Sequence, residues 1–375
     1  MELQLTDDQQ LFRETTRKYL ESSAPLDTVR QLAEDAPIGF DLGWWRSGAE
    51  LGWTSMLVPE SAGGGSVSGE GVLDLALIAE EMGRLVSPGP LLATNVVAAA
   101  LGAEGAGDHA DVLAGLIAGE TIATWAIAEP GGHWSADGVA LTATAQGDDF
   151  VLSGTKTAVE AANAAQYFLV AARTGDTLSQ FLVPAETAGL TVTPLESLDL
   201  VRRFGEVRFD NVVVPASAAV GAIGSAGPSI GRLLQYAGVI QCAEMVGALE
   251  RVFEFTVEYS FDRYSFGRAL ASYQALKHRF ADMKLYLESS HATAGGAARA
   301  VQDEAENADE LVSVAKSFIA DHGTAMIQDC VQMHGGIGVT WDHDIHLYLR
   351  RVAQDAALYG TPADHRERIA TEIGL

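Results

Sequence analysis

Residues 259–267 read Tyr259-Ser-Phe-Asp-Arg263-Tyr-Ser-Phe266-Gly267, with Tyr273-Gln274 and Ala281-Asp282-Met283 following; residues 332–338 read Gln332-Met-His-Gly335-Gly336-Ile-Gly338, with Arg350 beyond. These two stretches decide how the rest of the chain is read. Singly, each has a plain structural explanation. Arg263 lies four residues after Tyr259, the spacing of a side-chain pair on a helix surface. A Gly-Gly-x-Gly run is most often a loop that needs positive φ. Their weight comes from what surrounds them.

Around both stretches apolar residues recur at helical spacing, as in Leu249-Phe253-Val257 and Phe280-Met283-Leu287, from about Gly227 to the C-terminus. Upstream, from near Thr121, the period changes. Thr124-Trp125-Ala126-Ile127, Phe150-Val151-Leu152, Tyr167-Phe168-Leu169-Val170, Phe181-Leu182-Val183 and Val212-Val213-Val214 are short β-prone runs separated by Gly, Asp and Pro. Before them the helical period holds again, with Leu11, Thr15 and Tyr19 on one spacing and Leu73, Leu77, Ile78 and Met82 on another. Pro59 to Ser66 and Ser87 to Pro90 are breakers within that part. The expected architecture is α+β: a helical domain over 1–120, a barrel-like β domain over 121–225 and a helical bundle over 226–375.

Bulk properties narrow the function classes. The chain has 375 residues, enough for one to three domains. Fifty acidic against 24 basic residues leave a net charge of −26, which opposes nucleic acid and anionic membrane surfaces as partners. Cys242 and Cys330 are the only cysteines and both fall in helical pattern, so neither a disulfide framework nor a zinc site is expected. The first twenty residues mix charges without a basic start and apolar block, and no apolar window of about 18 residues occurs. A cytoplasmic location without a membrane segment is the expectation.

The two opening stretches resemble the Y-x-x-x-R-x-x-F-G…Q…A-D-M and Q-x-x-G-G-x-G…R signatures of the acyl-CoA dehydrogenase family, at that family's separation. Other parts agree: Leu5 to Arg13 (LTDDQQLFR), Gly52 to Gly65 (GW…VPE before a Gly-rich turn), Glu80-Glu81-Met-Gly83 and Glu129-Pro130-Gly131. The resemblance covers almost the whole chain. It implies an N-terminal helical domain, a middle β domain and a C-terminal four-helix bundle. It also implies FAD held between two subunits, with the ADP half reached by the neighbour. The reaching positions correspond here to Arg263, Phe266, Gln332, Gly335 and Gly336. A guanidinium offers pyrophosphate oxygens a rigid fork of donors, and glycine lets backbone approach where a Cβ would collide.

The chain departs from the family where the chemistry would be done. The family's glutamate base removes the α-proton while a hydride leaves for flavin, and a raised carboxylate pKa suits that work. One base slot is Tyr359, in Leu358-Tyr359-Gly360-Thr361; the other is Ala237, with Gly238 in the adjoining Arg slot. No catalytic residue is therefore expected in this chain. In the β domain Ala128 replaces a flavin-bonding Thr, and Ala158 replaces the Trp that packs on the isoalloxazine, emptying a large aromatic volume. Glu160 brings a negative charge where a reduced flavin would need neutral or positive surroundings. His133 and Trp134 stand where the family binds flavin and CoA and are expected to fill vacated space.

Positions reaching toward a neighbour's cofactor are kept, and positions serving the chain's own flavin, base and CoA are changed. This pattern is similar to the Glu-less chain of heteromeric actinobacterial sterol side-chain enzymes of β-oxidation, which are α2β2 assemblies. The resemblance implies a second, Glu-bearing acyl-CoA dehydrogenase subunit as partner, with the acyl-CoA in the partner's site and a steroid side-chain thioester as the candidate acyl group. Two other readings stand beside it: a homomeric flavoenzyme with an atypical base such as Glu244 or an oxidase or hydroxylase relative, and a flavin-free scaffold. His343-x-x-His346, flanked by Asp342 and Asp344, is read as a polar turn and not as a metal site. Trp44, Trp45 and Trp53 are read as core.

Overall fold

The computed structural model describes residues 5–131 and 134–375. Six helices come first: α1 (Asp7–Ser23), α2 (Leu26–Asp35), α3 (Leu42–Glu50), α4 (Gly71–Arg84), α5 (Leu91–Ala103) and α6 (Ala110–Ile117). Eight strands follow: β1 (Ala123–Ala126), β2 (Thr142–Gln146), β3 (Asp149–Glu160), β4 (Tyr167–Thr174), β5 (Thr177–Pro184), β6 (Leu190–Leu195), β7 (Phe204–Pro215) and β8 (Ala219–Val220). The last part is helical, with α7 (Gly227–Asp262), α8 (Gln274–Gln302), α9 (Ala308–His334), α10 (Ile345–Asp355) and α11 (Pro362–Glu372), broken by the hairpin strands β9 (Tyr264–Ser265) and β10 (Arg268–Ala269). The expected order of helical, β and helical parts is the one observed. Among the described residues no helix is long and apolar enough to cross a membrane.

Local chemistry places the ends of these elements. Thr6 and Gln9 form a reciprocal capping box that starts α1, and the Asp41 carboxylate accepts the Trp44 amide to start α3. Thr361 and Asp364 repeat the box at α11, where Pro362 supplies a fixed φ at the first turn. The sheet runs β6-β7-β3-β2-β4-β5-β8, with β1 pairing parallel to β4. Leu152, Phe168, Val170, Phe181, Val183, Val207 and Phe209 fill its core. The five apolar runs read from sequence are β1, β3, β4, β5 and β7; β2 carries TATAQ and β6 LTVTPL, both mostly exposed, and neither has a run of apolar residues to mark it.

The chain forms two compact units. One holds the residues up to Val29, Ala76–Ser87 and Gly238–Leu375; the other holds Arg30–Leu75 and Pro88–Ala237. In the second, Trp44, Trp45 and Trp53 are buried and pack edge-on or tilted with centroids 5.4–6.5 Å apart. In the first, α4 and α7 cross at two glycines. A Cβ on Gly83 would enter the carbonyl oxygen of Glu244, and one on Gly247 the carbonyl oxygen of Glu80.

Gly247→Ala is expected to cost about 1–3 kcal/mol, because both obstacles are backbone and neither can rotate away. Gly231, on the same helix with open space around it, is the matched position, where alanine should gain up to about 1 kcal/mol of helix propensity. Urea midpoints of the two variants check this.

Candidate functional site

Two helices of the first unit organise the residues of interest. α7 and α9 run side by side in the same direction: Gly238 faces Val312, Leu249 packs on Gly323, and Tyr259 stacks on His334 at 4.5 Å and 25°. The Tyr259 hydroxyl also donates to the His334 carbonyl at 3.3 Å. Consequently the two sequence stretches quoted at the outset leave the helix pair at the same end. At about 1.5 Å per residue, Gly238 and Asp262 stand roughly 36 Å apart along α7.

At the far end α7 stops at Asp262 and the chain turns through the β9–β10 hairpin. Its two central residues are Phe266 at φ 50° and Gly267 at φ 79°. A two-residue hairpin with positive φ at both centres matches the strand twist, but an aromatic residue rarely accepts the first of them. Phe266 is 97% exposed. Arg263 is exposed, and its guanidinium has no hydrogen bond or ion pair among the described residues. The Gln332 side chain is likewise exposed and unengaged. Gly335 ends α9 at φ 62°, and a Cβ on it or on Gly336 would meet open space. All five residues expected to contact cofactor are thus bare at one end of the helix pair.

The opposite end is closed. A Cβ on Gly238 would lie 2.5 Å from Val312 Cγ1, so any side chain there would have to displace Val312. Ala237 is fully buried. Tyr359 is 7% exposed at φ 59°, in the turn between α10 and α11. Beneath that turn the buried Lys316 ammonium donates to Gln241 Oε1 at 2.6 Å, to the Asp355 carbonyl at 2.7 Å and to the Leu358 carbonyl at 3.0 Å. Burial lowers its pKa to about 8. His365 packs under Gly360, with Nδ1 3.2 Å from Ser313 Oγ. Sequence reading missed both Lys316 and His365, since a lone polar residue on an apolar face gives no signal of its partners.

Glu244, the alternative base, is buried in an ion pair with the fully buried Arg351, which also donates to the Ser87 carbonyl at 3.4 Å. A carboxylate occupied by a buried guanidinium is a structural partner and does not face an open site as a base would.

In the second unit the turn after β1 keeps its backbone order. Thr157 N donates to the Ala128 carbonyl at 2.9 Å, and Lys156 Nζ donates to the Ile127 carbonyl at 3.1 Å and to Glu129 Oε1 at 2.7 Å. Ala158 sits at φ 49° where β3 bulges against β7. Glu160 differs from expectation. Its buried carboxylate lies 3.5 Å from Arg202 Nε, so the negative charge is neutralised within the chain and does not stand open. Trp134 is buried, and His133 lies outside the described residues. His343 Nδ1 accepts the Ile345 amide and His346 stacks on Trp341; among the described residues no three metal-ligating side chains gather.

Comparisons with known proteins agree along the whole chain. Family models described as the acyl-CoA dehydrogenase N-terminal, middle and C-terminal domains match residues 6–120, 124–212 and 219–374. The acyl-CoA dehydrogenase IpdE2 of Mycolicibacterium smegmatis is 30% identical over 98% of this chain and 100% of its own. Among solved structures, the ChsE4-ChsE5 complex of Mycobacterium tuberculosis superposes with a TM-score of 0.90 at 27% identity, over 100% of this chain and 99% of that one. The Tcur3481-Tcur3483 steroid dehydrogenase variant gives 0.87 at 28%, over 98% of each.

The closed end carries a pH signature. Burial first, then the Lys316 and Arg368 charges, push the His365 pKa down to about 3. The unfolded chain therefore binds a proton that the folded chain refuses between pH 6.5 and 3, and stability falls as pH falls through that window. Urea midpoints at pH 7.5 and 5.0 should drop for the native chain and drop less for His365→Gln.

Proposed function

The chain belongs to the acyl-CoA dehydrogenase family, and on that footing we propose that it is the non-catalytic subunit of a heteromeric FAD-dependent acyl-CoA dehydrogenase. The observation that carries this reading is the contrast between the two ends of the α7–α9 pair. One end offers unengaged donors and an exposed aromatic side chain; the other has Ala237 and Tyr359 where a carboxylate base would stand. The roughly 36 Å between them is too long for both ends to serve one cofactor molecule.

The residues at the open end fit the ADP half of FAD. Arg263 supplies a bidentate, permanently charged fork for pyrophosphate oxygens. Gln332 supplies an amide donor and acceptor, and Gly335 and Gly336 let the backbone approach closely. Phe266 covers the cofactor's apolar surface. The positions corresponding to the flavin-ring side in this chain do not fit: Ala128 and Ala158 lack the hydroxyl and the indole, and Glu160 is committed to Arg202. When bound, FAD would supply the hydride acceptor for an acyl thioester, and the partner would supply the base that this chain lacks. This chain's residues then fix the cofactor's far half and exclude water from it.

Solved relatives described as a two-component complex and as a steroid dehydrogenase support a heteromer acting on a bulky acyl-CoA, with a steroid side chain as the leading candidate. We assign the partner as a second family member bearing the glutamate, in an α2β2 arrangement in which each mixed pair keeps one working site. The fold and the charge of −26 support a soluble, cytoplasmic assembly.

Purified alone, the chain should carry far less than one FAD per chain, and co-expressed with its partner it should give one FAD per two chains. Arg263→Ala removes a charge-assisted contact worth about 1.5–3 kcal/mol, so flavin should leave the complex about ten- to a hundredfold faster. Tyr359→Phe should leave turnover within about twofold, since one such factor is well under 1 kcal/mol. Stoichiometric FAD with turnover in the chain alone would overturn the reading.

A further inference from the structure

We propose that Tyr273, with Arg268 laid over its ring, is the positioning residue that holds the Phe266 hairpin in its cofactor-contacting shape; the proposal rests on the reading above. The hairpin has little to sustain it. β9 and β10 are two residues each, and a two-stranded ribbon is marginal in water by itself. Its apex places an exposed aromatic residue in the left-handed region, a conformation that needs support from elsewhere.

Tyr273 supplies that support from the residue that opens α8. Its hydroxyl donates to the Ser265 carbonyl on β9 at 2.7 Å. The Arg268 guanidinium on β10 lies 3.8 Å from its ring centroid, within cation–π range. Ser265 and Arg268 are the facing pair that flanks Phe266 and Gly267. One side chain therefore grips both strands at the step next to the apex. Two backbone bonds continue the brace, from Leu270 N to the Arg263 carbonyl at 2.9 Å and from Tyr273 N to the Leu270 carbonyl at 3.1 Å. The Leu270 bond holds the Arg263 backbone independently of the Tyr273 side chain, which sets Phe266 on an element anchored in the helical unit. A tyrosine with a fold-stabilising role alone would pack inward; this one spends its hydroxyl and one ring face on the hairpin.

The test is a double-mutant cycle on the FAD-containing assembly purified from cells. Tyr273→Phe keeps the ring and deletes the hydroxyl; Arg268→Gln keeps the chain length and deletes the charge. Each should speed FAD release about three- to tenfold with the melting temperature of the chain unchanged. In a Phe266→Ala background Tyr273→Phe should add little, because the aromatic group it positions is gone. A Tyr273→Phe effect that persists undiminished in that background, or that tracks a fall in melting temperature, overturns the proposal. So does an unchanged release rate in Tyr273→Phe when Phe266→Ala accelerates it. If Phe266→Ala and Arg263→Ala both leave FAD release unchanged, the cofactor-completing role itself fails, and this inference with it.

Discussion

Two helix backbones meet with no room for a methyl group between them, and the first unit is arranged around that contact. Gly83 of α4 and Gly247 of α7 each accept the other helix's carbonyl where a side chain would begin. Several charged side chains beside this crossing pair with one another. Arg17 holds Glu81 through two nitrogens, at 2.7 and 2.6 Å; Arg84 reaches Glu250 and Glu254; Arg351 holds Glu244. Tyr348 completes the contact by donating to the Arg84 carbonyl at 2.7 Å. The buried Arg351–Glu244 pair is dangerous to break and weak as a net stabiliser, so its value here is in fixing one arrangement. With α7 fixed, α9 is aligned by Leu249 on Gly323 and by Tyr259 on His334.

That alignment gives the molecule its polarity. Exposing Phe266 at positive φ, and leaving Arg263 and Gln332 without intramolecular partners, brings no benefit to the isolated chain. The opposite end shows the reverse economy. Lys316 makes three hydrogen bonds, His365 is kept neutral, and Glu244 pairs with Arg351, so most of the polar groups there turn toward one another. One end leaves Phe266, Arg263 and Gln332 facing outward, and the other buries its polar groups.

Much of this was legible in sequence, for identifiable reasons. The change of period near Thr121 is a property of many residues together, so the order of helical and β parts survives local noise. The β strands that escaped notice are the ones with little buried surface: β2 and β6 are exposed along most of their length, and polar alternation does not distinguish them from loops. Arg263 and Gln332 were visible because spacing between motifs encodes their common end. The Glu160–Arg202 pair was not, since 41 intervening residues separate partners that only the sheet and its following loop bring within 3.5 Å. The Tyr273 brace was hidden for a different reason. A tyrosine one residue before a helix is unremarkable until the hairpin's register puts Ser265 and Arg268 opposite each other.

A helix pair that keeps two functional surfaces about 36 Å apart also decouples their histories. Substitutions near Gly238 and Tyr359 act on neighbours that never touch Arg263 or Phe266, so each surface answers to its own selective pressure. In a duplicated pair of genes, one copy can shed its proton-transfer apparatus while the other copy's bound nucleotide continues to conserve its hairpin. Sequence change at one end can then accumulate without disturbing the other.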